Sequence, residues 1–197
     1  MNPTSPVPPA CAIAFKEWSG VCHALGTGEQ ILILRKGGIA EVAGEFQPDH
    51  ETFWLYPTFL HEHAQGLKGT GVQKVTPEPT GVEIEYLVRV QWLARVTDLG
   101  CLKAIEAEHV WTSETVAKRF HYRNDGIWLL CARVYQAPLP VRLEVLPEYE
   151  GCHTWVPLAT ELSTHGIRPV LNDDVFHDRS QQLRQILISE DHRRALA

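Results

Sequence analysis

The segment Arg35-Lys36-Gly37-Gly38 combines two cations with a flexible main chain. Guanidinium and ammonium groups make charge-assisted hydrogen bonds to phosphate oxygens, and exposed backbone N–H groups can add to such a site. The longer glycine pattern of a nucleotide-binding P-loop is missing, so a loop with solvated charges explains the same residues. We predict that Arg35 and Lys36 bind phosphate, with the solvated loop as the alternative.

Residues 118–123 form the most basic short segment and interleave cations with aromatic side chains. Arg119 and Tyr122 are candidates for the rim of a nucleic-acid site, because a cation can contact a phosphate while a tyrosine stacks on a base. The alternative is a solvated helix face whose cations lie near the helix C-terminus. Trp54 stands near the end of a predicted strand, and we predict it to be the stacking aromatic residue.

The densest group of histidines consists of His50, His61 and His63, with Glu62 between the last two. Neutral imidazole is a common metal ligand, so these residues predict a divalent metal site. Side chains two residues apart point to different sides of a helix, and a joint site therefore needs strand or loop geometry. The alternative is a set of polar loop histidines without a metal, and no other cofactor is predicted.

No catalytic motif accompanies these groups. The chain contains no GxSxG nucleophile elbow, and no lysine follows an acidic residue at the spacing of a restriction-type nuclease. The sequence therefore leaves open whether the protein is an enzyme.

Composition limits the kinds of partner. Of the 197 residues, 44% are hydrophobic and 21% are charged, as in ordinary globular proteins. The formal net charge of −6 disfavours a broad surface for nucleic acid but permits a small basic site. The cysteines show no CxxC spacing, the N-terminus lacks the features of a secretion signal, and no apolar run is long enough for a bilayer. We expect a cytoplasmic protein that does not enter a membrane, of an oligomeric state that the sequence does not fix.

The clearest structural pattern is an alternation of apolar and polar residues over positions 82–96, which predicts a long strand with one wet face. A strand of this length, about 50 Å, must bend to fit a small sheet. Periodicity and capping residues predict helices over 12–25, 113–122 and from 173 onward, and shorter strands at 31–34, 53–56, 127–134, 141–145 and 155–158.

These elements predict an α+β fold with a small, strongly bent, mostly antiparallel sheet or partial β-barrel and flanking helices. We assign residues 1–11 to a disordered lead, 12–160 to a single domain, and 161–197 to a linker and a C-terminal helix.

The segments FKEW (15–18), LRKGGI (34–39) and LYPTxxH (55–61) resemble an uncharacterised bacterial family, a domain of unknown function. This resemblance implies a link to restriction-modification systems. A fainter likeness is to ASCH domains, relatives of the PUA and EVE modules that bind RNA or modified DNA bases. Their pattern GxKxxExR is matched here by Gly28 and Arg35, whereas Gln30 and Ile33 replace its lysine and glutamate. The second likeness implies a PUA-like small-barrel fold and, by itself, no function.

The leading function is thus a non-enzymatic module that binds DNA or RNA, including a modified or flipped base, beside a restriction or other DNA-processing enzyme. The second is a metal-dependent hydrolase that acts on nucleotides or nucleic acid through the three histidines. The third is a protein–protein adaptor that uses the C-terminal helix.

Overall fold

The computed structural model describes residues 6–36, 41–42, 45–46, 50–59, 66–68, 81–149, 151 and 153–195. Within these ranges the elements are β1 (Ala10–Trp18), α1 (Ser19–Gly26), β2 (Leu32–Arg35), β3 (Glu41–Val42), β4 (Glu45–Phe46), β5 (Thr52–Thr58), β6 (Gly81–Val96), α2 (Leu99–Ala104), α3 (Ser113–His121), β7 (Ile127–Glu144), β8 (Trp155–Ser163), β9 (Arg168–Pro169) and α4 (Asp173–Ala195). None of the helices in this part of the chain is long and apolar enough to cross a membrane.

Seven strands form one curled sheet in the order β2-β7-β6-β5-β1-β8, with β9 also paired to β7. Neighbouring strands are antiparallel except β1 and β5, which are parallel. The long strands β6 and β7 carry two register shifts along their shared ladder, and such bulges bend and twist a strand pair. The structure thus confirms the α+β class, the strongly bent and mostly antiparallel sheet, and the long strand predicted over 82–96.

The helix predicted over 12–25 is wrong in its first half. Residues 10–18 form β1, which lies between β5 and β8, and helix α1 begins only at Ser19. The apolar side chains of a buried strand and of the helix after it fall by chance on a helical spacing. Pairing with strands that are distant in sequence overrides that local pattern.

The two strands predicted around Pro138 and Pro140 are one continuous strand, β7. In the ladder between β6 and β7, Gln136 pairs with Tyr86 and Val141 pairs with Ile84, so the prolines fall within a register shift. Proline has no N–H to donate to a ladder, and a bulge is a place where a strand tolerates it.

The hydrophobic core extends beyond residue 160, where the sequence analysis ends the domain. Strand β8 continues to Ser163, which pairs with Ala10 of β1. Helix α4 contributes Phe176, Leu183 and Leu187 to the cluster that contains β2 and the first half of β7. Residues 10 and 11, assigned to a disordered lead, belong to β1, and residues 1–5 lie outside the described residues.

Candidate functional site

The curl of the sheet brings β2, at one edge, back to the end of β1. Arg35 is the last residue of β2, and its Nη2 donates a hydrogen bond to the backbone carbonyl of Lys16 on β1, at 3.0 Å. Three strands separate β2 from β1 in the order of the sheet. The arginine therefore bridges the mouth of a partly closed barrel.

Glu17 lies at this bridge with 2% of its surface exposed. It shares a face of β1 with Phe15, because side chains two residues apart on a strand point to the same side. Its Oε1 accepts a hydrogen bond from the N–H of Trp18 at 2.9 Å. Its Oε2 lies 3.8 Å from Nη1 of Arg35 and has no hydrogen-bond partner among the described residues. A buried carboxylate oxygen without a donor is costly, so this atom is available to the donor group of a ligand.

Helix α3 supplies a second guanidinium group. The helix begins after Thr112, whose hydroxyl accepts a hydrogen bond from a backbone N–H of the first turn. Arg119 lies further along, with its guanidinium 4.0 Å from the ring centroid of Trp111. Burial lowers the pKa of Arg119, the negative charge of Glu17 opposes that shift, and the positive charge of Arg35 adds to it. The three charged groups therefore act on one another, and we call Glu17, Arg35 and Arg119 the arginine site.

Aromatic rings lie next to the arginine site. The guanidinium of Arg35 is 4.4 Å from the ring centroid of Phe15, which stacks on Phe53. Trp155 packs edge-on against both phenylalanines, and His50 packs edge-on against Trp155 at 5.0 Å. The indole N–H of Trp155 is buried and has no hydrogen-bond partner among the described residues. Trp155 and His50 are half-buried, so these two rings can offer surface to a ligand.

Lys36 does not join the arginine site as a phosphate ligand. Its ammonium group donates hydrogen bonds to the backbone carbonyls of Phe120 at 2.8 Å, Gly126 at 2.7 Å and Asn124. An ammonium group has three protons, and these contacts use all three. Lys36 instead caps the C-terminus of α3 and fixes the turn after it, which holds Arg119 in position.

Trp54 and Tyr122 have different environments in the structure: the first is buried and the second is exposed. Trp54 points to the other side of β5 from Phe53, is 1% exposed, and donates its indole N–H to the carbonyl of Cys11 at 3.2 Å. It is a core residue, and a nucleic-acid base cannot reach it. Tyr122 follows α3 directly and is 57% exposed, with the guanidinium of Arg123 5.2 Å from its ring centroid. Its role at the rim of a site stays a prediction.

The predicted histidine group is only partly visible. His50 packs on Trp155, whereas His61 and His63 lie outside the described residues. Within the described ranges, no group of three histidine, cysteine, aspartate or glutamate side chains is arranged to hold a metal ion. The metal site and the hydrolase function that depends on it stay predictions.

Glu17 is the residue that the sequence analysis missed. Its signal was an acidic residue in the FKEW segment, between the aromatic residues Phe15 and Trp18. A buried carboxylate requires partners that are not visible in a single sequence. Its partner Arg35 becomes a neighbour only when the sheet curls.

Comparison with known proteins places the chain in a family. The model of a family described as a domain of unknown function (DUF1802) matches residues 14–182, a range that contains the whole arginine site. This match confirms the resemblance to a domain of unknown function. A search of curated proteins found no match.

Two solved structures are similar in fold. A mutant ASCH protein from Zymomonas mobilis has a TM-score of 0.45 and 10% sequence identity, with 77% of this chain and 91% of that chain covered. A second structure of ASCH from Zymomonas mobilis has a TM-score of 0.43 and 11% identity, with 90% of this chain and 93% of that chain covered. Both belong to the family whose GxKxxExR pattern the segment 28–35 partly matches.

Proposed function

This chain belongs to the DUF1802 family, whose function is unknown, and we propose from its own site that it is a nucleic-acid-binding module. The observation that carries the proposal is a pair of recessed guanidinium groups that lie against aromatic rings. The guanidinium groups of Arg35 and Arg119 lie near the carboxylate of Glu17 in a largely buried position.

Largely buried guanidinium groups favour an anionic ligand. A buried charge is stable when a partner of opposite sign and enough hydrogen bonds compensate it. Nε of Arg35 is buried and has no hydrogen-bond partner among the described residues. A phosphate group carries negative charge and accepts hydrogen bonds from guanidinium groups in their preferred geometry.

The rings beside the site suit the rest of a nucleotide. A base has an aromatic face, which stacks on tryptophan, tyrosine or histidine whatever its sequence. Trp155 and His50 lie beside Arg35, and Tyr122 is exposed at the end of the helix that carries Arg119. The unpartnered atoms Oε2 of Glu17 and Nε1 of Trp155 offer an acceptor and a donor for the edge of a base.

As its biological setting, we propose that the module acts in the cytoplasm beside a restriction or other DNA-processing enzyme. The support for this partner is the sequence resemblance stated above. The binding reaction itself needs no catalytic group, so the module would deliver or recognise the nucleic acid while its partner performs the chemistry.

The test is a tryptophan fluorescence titration with single-stranded DNA, single-stranded RNA and duplexes that carry modified bases, at low salt. The site variant is the double substitution Glu17→Gln with Arg35→Met, because removing Arg35 alone would leave a buried carboxylate without its ion pair. The control is Lys118→Met, on the outer face of α3, where the lysine side chain is 74% exposed and pairs with Glu114 at 2.7 Å.

We expect the wild type to bind at least one of these ligands with an affinity that falls as salt rises. The double variant should bind about tenfold more weakly or worse, the equivalent of one charge-assisted hydrogen bond, and the control should bind as the wild type does. Absence of salt-dependent binding, or equal binding by a folded double variant, would refute the proposal.

A further inference from the structure

We propose that a single strand of nucleic acid crosses the sheet beside the arginine site, with a base stacked on Trp128 and a phosphate bound by Arg95. The inference rests on the nucleic-acid-binding function proposed above, to which it adds two residues and a preference for unpaired strands. It is carried by the register of three neighbouring strands, the packing of Arg95, and the exposure of both side chains.

Arg35, Trp128 and Arg95 form one row across three strands, and we call them the cross-strand row. Arg35 of β2 pairs with Trp128 of β7, and Trp128 pairs with Arg95 of β6. Residues that pair directly across neighbouring strands project their side chains to the same face of a sheet. Trp128 and Arg95 therefore lie on the face that carries Arg35, and they extend the arginine site across β7 to β6.

The cross-strand row places an aromatic ring between two cations. Neighbouring strands of a sheet lie about 4.8 Å apart, so the backbones at Arg35 and Arg95 are about 10 Å apart, with that of Trp128 midway between them. Each internal nucleotide of a strand has one phosphate on either side of its sugar and base. A base on Trp128 places these phosphates toward the two arginine side chains, and guanidinium groups are well suited to bind phosphate oxygens.

Contacts with Trp128 and with the turn after α3 hold Arg95 in position. Its guanidinium is 6.0 Å from the ring centroid of Trp128. The guanidinium also lies close to Gly126, since a side-chain carbon at that position would be 3.4 Å from Nε of the arginine. The carbonyl of Gly126 accepts a hydrogen bond from Lys36 at 2.7 Å, which fixes the turn. An arginine packed in this way loses less conformational freedom when it binds a ligand.

Both side chains can be reached by a ligand. Trp128 is half-buried and Arg95 is exposed. The distance of 6.0 Å is at the outer limit of a cation–π contact, so the arginine does not cover the ring closely. Bases in a duplex are paired and stacked on one another, and their faces are not available to Trp128, whereas the bases of a single strand stack readily on aromatic side chains. The cross-strand row therefore favours a single strand over a duplex.

The experiment measures the fluorescence anisotropy of labelled ligands of about twelve nucleotides mixed with the full chain. The ligands are single-stranded DNA, the same strand without its bases, and the duplex. The variants are Trp128→Leu, Trp128→Phe and Arg95→Met. The control is Arg142→Met, at an exposed arginine near the other end of the same pair of strands.

We expect the wild type to bind the single strand at least about tenfold more tightly than the duplex. Trp128→Leu should weaken binding of the single strand about tenfold and leave binding of the base-free strand unchanged, whereas Trp128→Phe, which keeps an aromatic ring, should bind within about threefold of the wild type. Arg95→Met should weaken binding of both strands and make the logarithmic salt slope shallower by about 0.7, the value of one phosphate contact. The control Arg142→Met should bind as the wild type does.

Two kinds of result would overturn the inference. If the double variant of Glu17 and Arg35 weakens binding but folded Trp128→Leu and Arg95→Met bind as the wild type does, the strand does not cross the row and the nucleic-acid-binding function stands. Equal affinity for the single strand and the duplex has the same meaning. Absence of binding of every ligand refutes the proposed function, and the inference with it. Should Trp128→Leu fail to fold, Arg95→Met and the base-free strand decide the question, because neither alters the packing of the tryptophan against the sheet.

Discussion

His109 makes the stability of the fold depend on pH in the mildly acidic range. The residue is 4% exposed, and neither of its ring nitrogens has a hydrogen-bond partner among the described residues. The pKa of His109 is lowered to about 4, chiefly by burial and secondly by the nearby charge of Lys68, while Glu106 opposes the shift. The backbone of Trp111 also opposes the fall in the pKa of His109, although the contact between them does not have the geometry of a hydrogen bond.

The direction and size of the effect follow from the two pKa values. In the unfolded chain the histidine has its ordinary pKa of about 6.5, so between pH 6.5 and 4 the unfolded chain binds more protons than the folded protein. Stability is therefore complete above pH 6.5 and is lost as the pH falls toward 4. Each pKa unit is worth about 1.4 kcal/mol, and the loss between pH 7 and pH 5 is about 2 kcal/mol from this residue alone.

The comparison that isolates this effect is between the wild type and His109→Phe. A phenylalanine does not titrate, and the cavity of about 30 Å³ that His109 lines with apolar side chains such as Leu102 and Val116 can take part of the larger ring. Because the contributions of all other groups are shared, the difference between the two proteins reports on His109.

The assay is urea unfolding followed by tryptophan fluorescence at pH 7, 6 and 5. We expect the free energy of unfolding of the wild type, relative to His109→Phe, to fall by about 2 kcal/mol from pH 7 to pH 5. His165→Gln, at an exposed histidine, should keep the wild-type profile. A constant difference between wild type and His109→Phe across this range would refute the argument.

Three further predictions concern residues that the structure assigns to stability. Lys36→Met should lower the free energy of unfolding in urea by about 3 kcal/mol, because three carbonyls lose a charged donor. The control Lys103→Met, at an exposed lysine, should change it very little. Equally small losses in both variants would contradict the structural role of Lys36. Trp54→Phe should lower the free energy of unfolding by about 1 kcal/mol, because the hydrogen bond to the carbonyl of Cys11 is lost, and should leave nucleic-acid affinity unchanged. Weaker binding by the folded variant would show that Trp54 belongs to the binding site. Truncation after residue 170 should abolish cooperative unfolding, because α4 buries three large apolar side chains in the core. Their burial contributes about 6 kcal/mol together. A cooperative transition in the truncated chain would show that the fold does not need α4.

The parts of the fold that could be predicted from the sequence are those whose patterns are local. The alternation over 82–96 produces β6 because one face of that strand is packed and the other is wet. Helix α3 was predicted over 113–122 and spans Ser113–His121, since Thr112 caps it and Val116 and Phe120 share its buried face. The terminal helix was likewise predicted from residue 173, where the described helix begins.

The parts that were wrong depend on partners far away in the sequence. Phe15 belongs to a strand because β1 pairs with residues about forty positions later and with Trp155, about 140 positions later. Pro138 and Pro140 do not end β7, because the ladder shifts register opposite them. Neither partner strand nor register can be read from the local spacing of apolar residues.

The contacts of the charged residues in the candidate site likewise could not be predicted from the sequence. Arg35 and Lys36 are adjacent in the sequence and equally cationic, but successive side chains at a strand end point in different directions. One meets a buried carboxylate and an aromatic ring, and the other meets three backbone carbonyls. The three carbonyls around Lys36 are neutral, but together they accept all three protons of its ammonium group. The capacity of a cation to bind a further ligand therefore depends on its hydrogen bonds as well as on its charge.

The site that we propose for an anion is compatible with the net charge of −6 that the chain carries. The potential at a recessed point depends on the nearest uncompensated groups more than on the distant surface, which salt screens beyond about 10 Å. At the arginine site the guanidinium groups of Arg35 and Arg119 lie near the carboxylate of Glu17, while Lys118 on the outer face of α3 pairs with Glu114. A small recessed site for an anion is therefore compatible with the negative net charge of the whole chain.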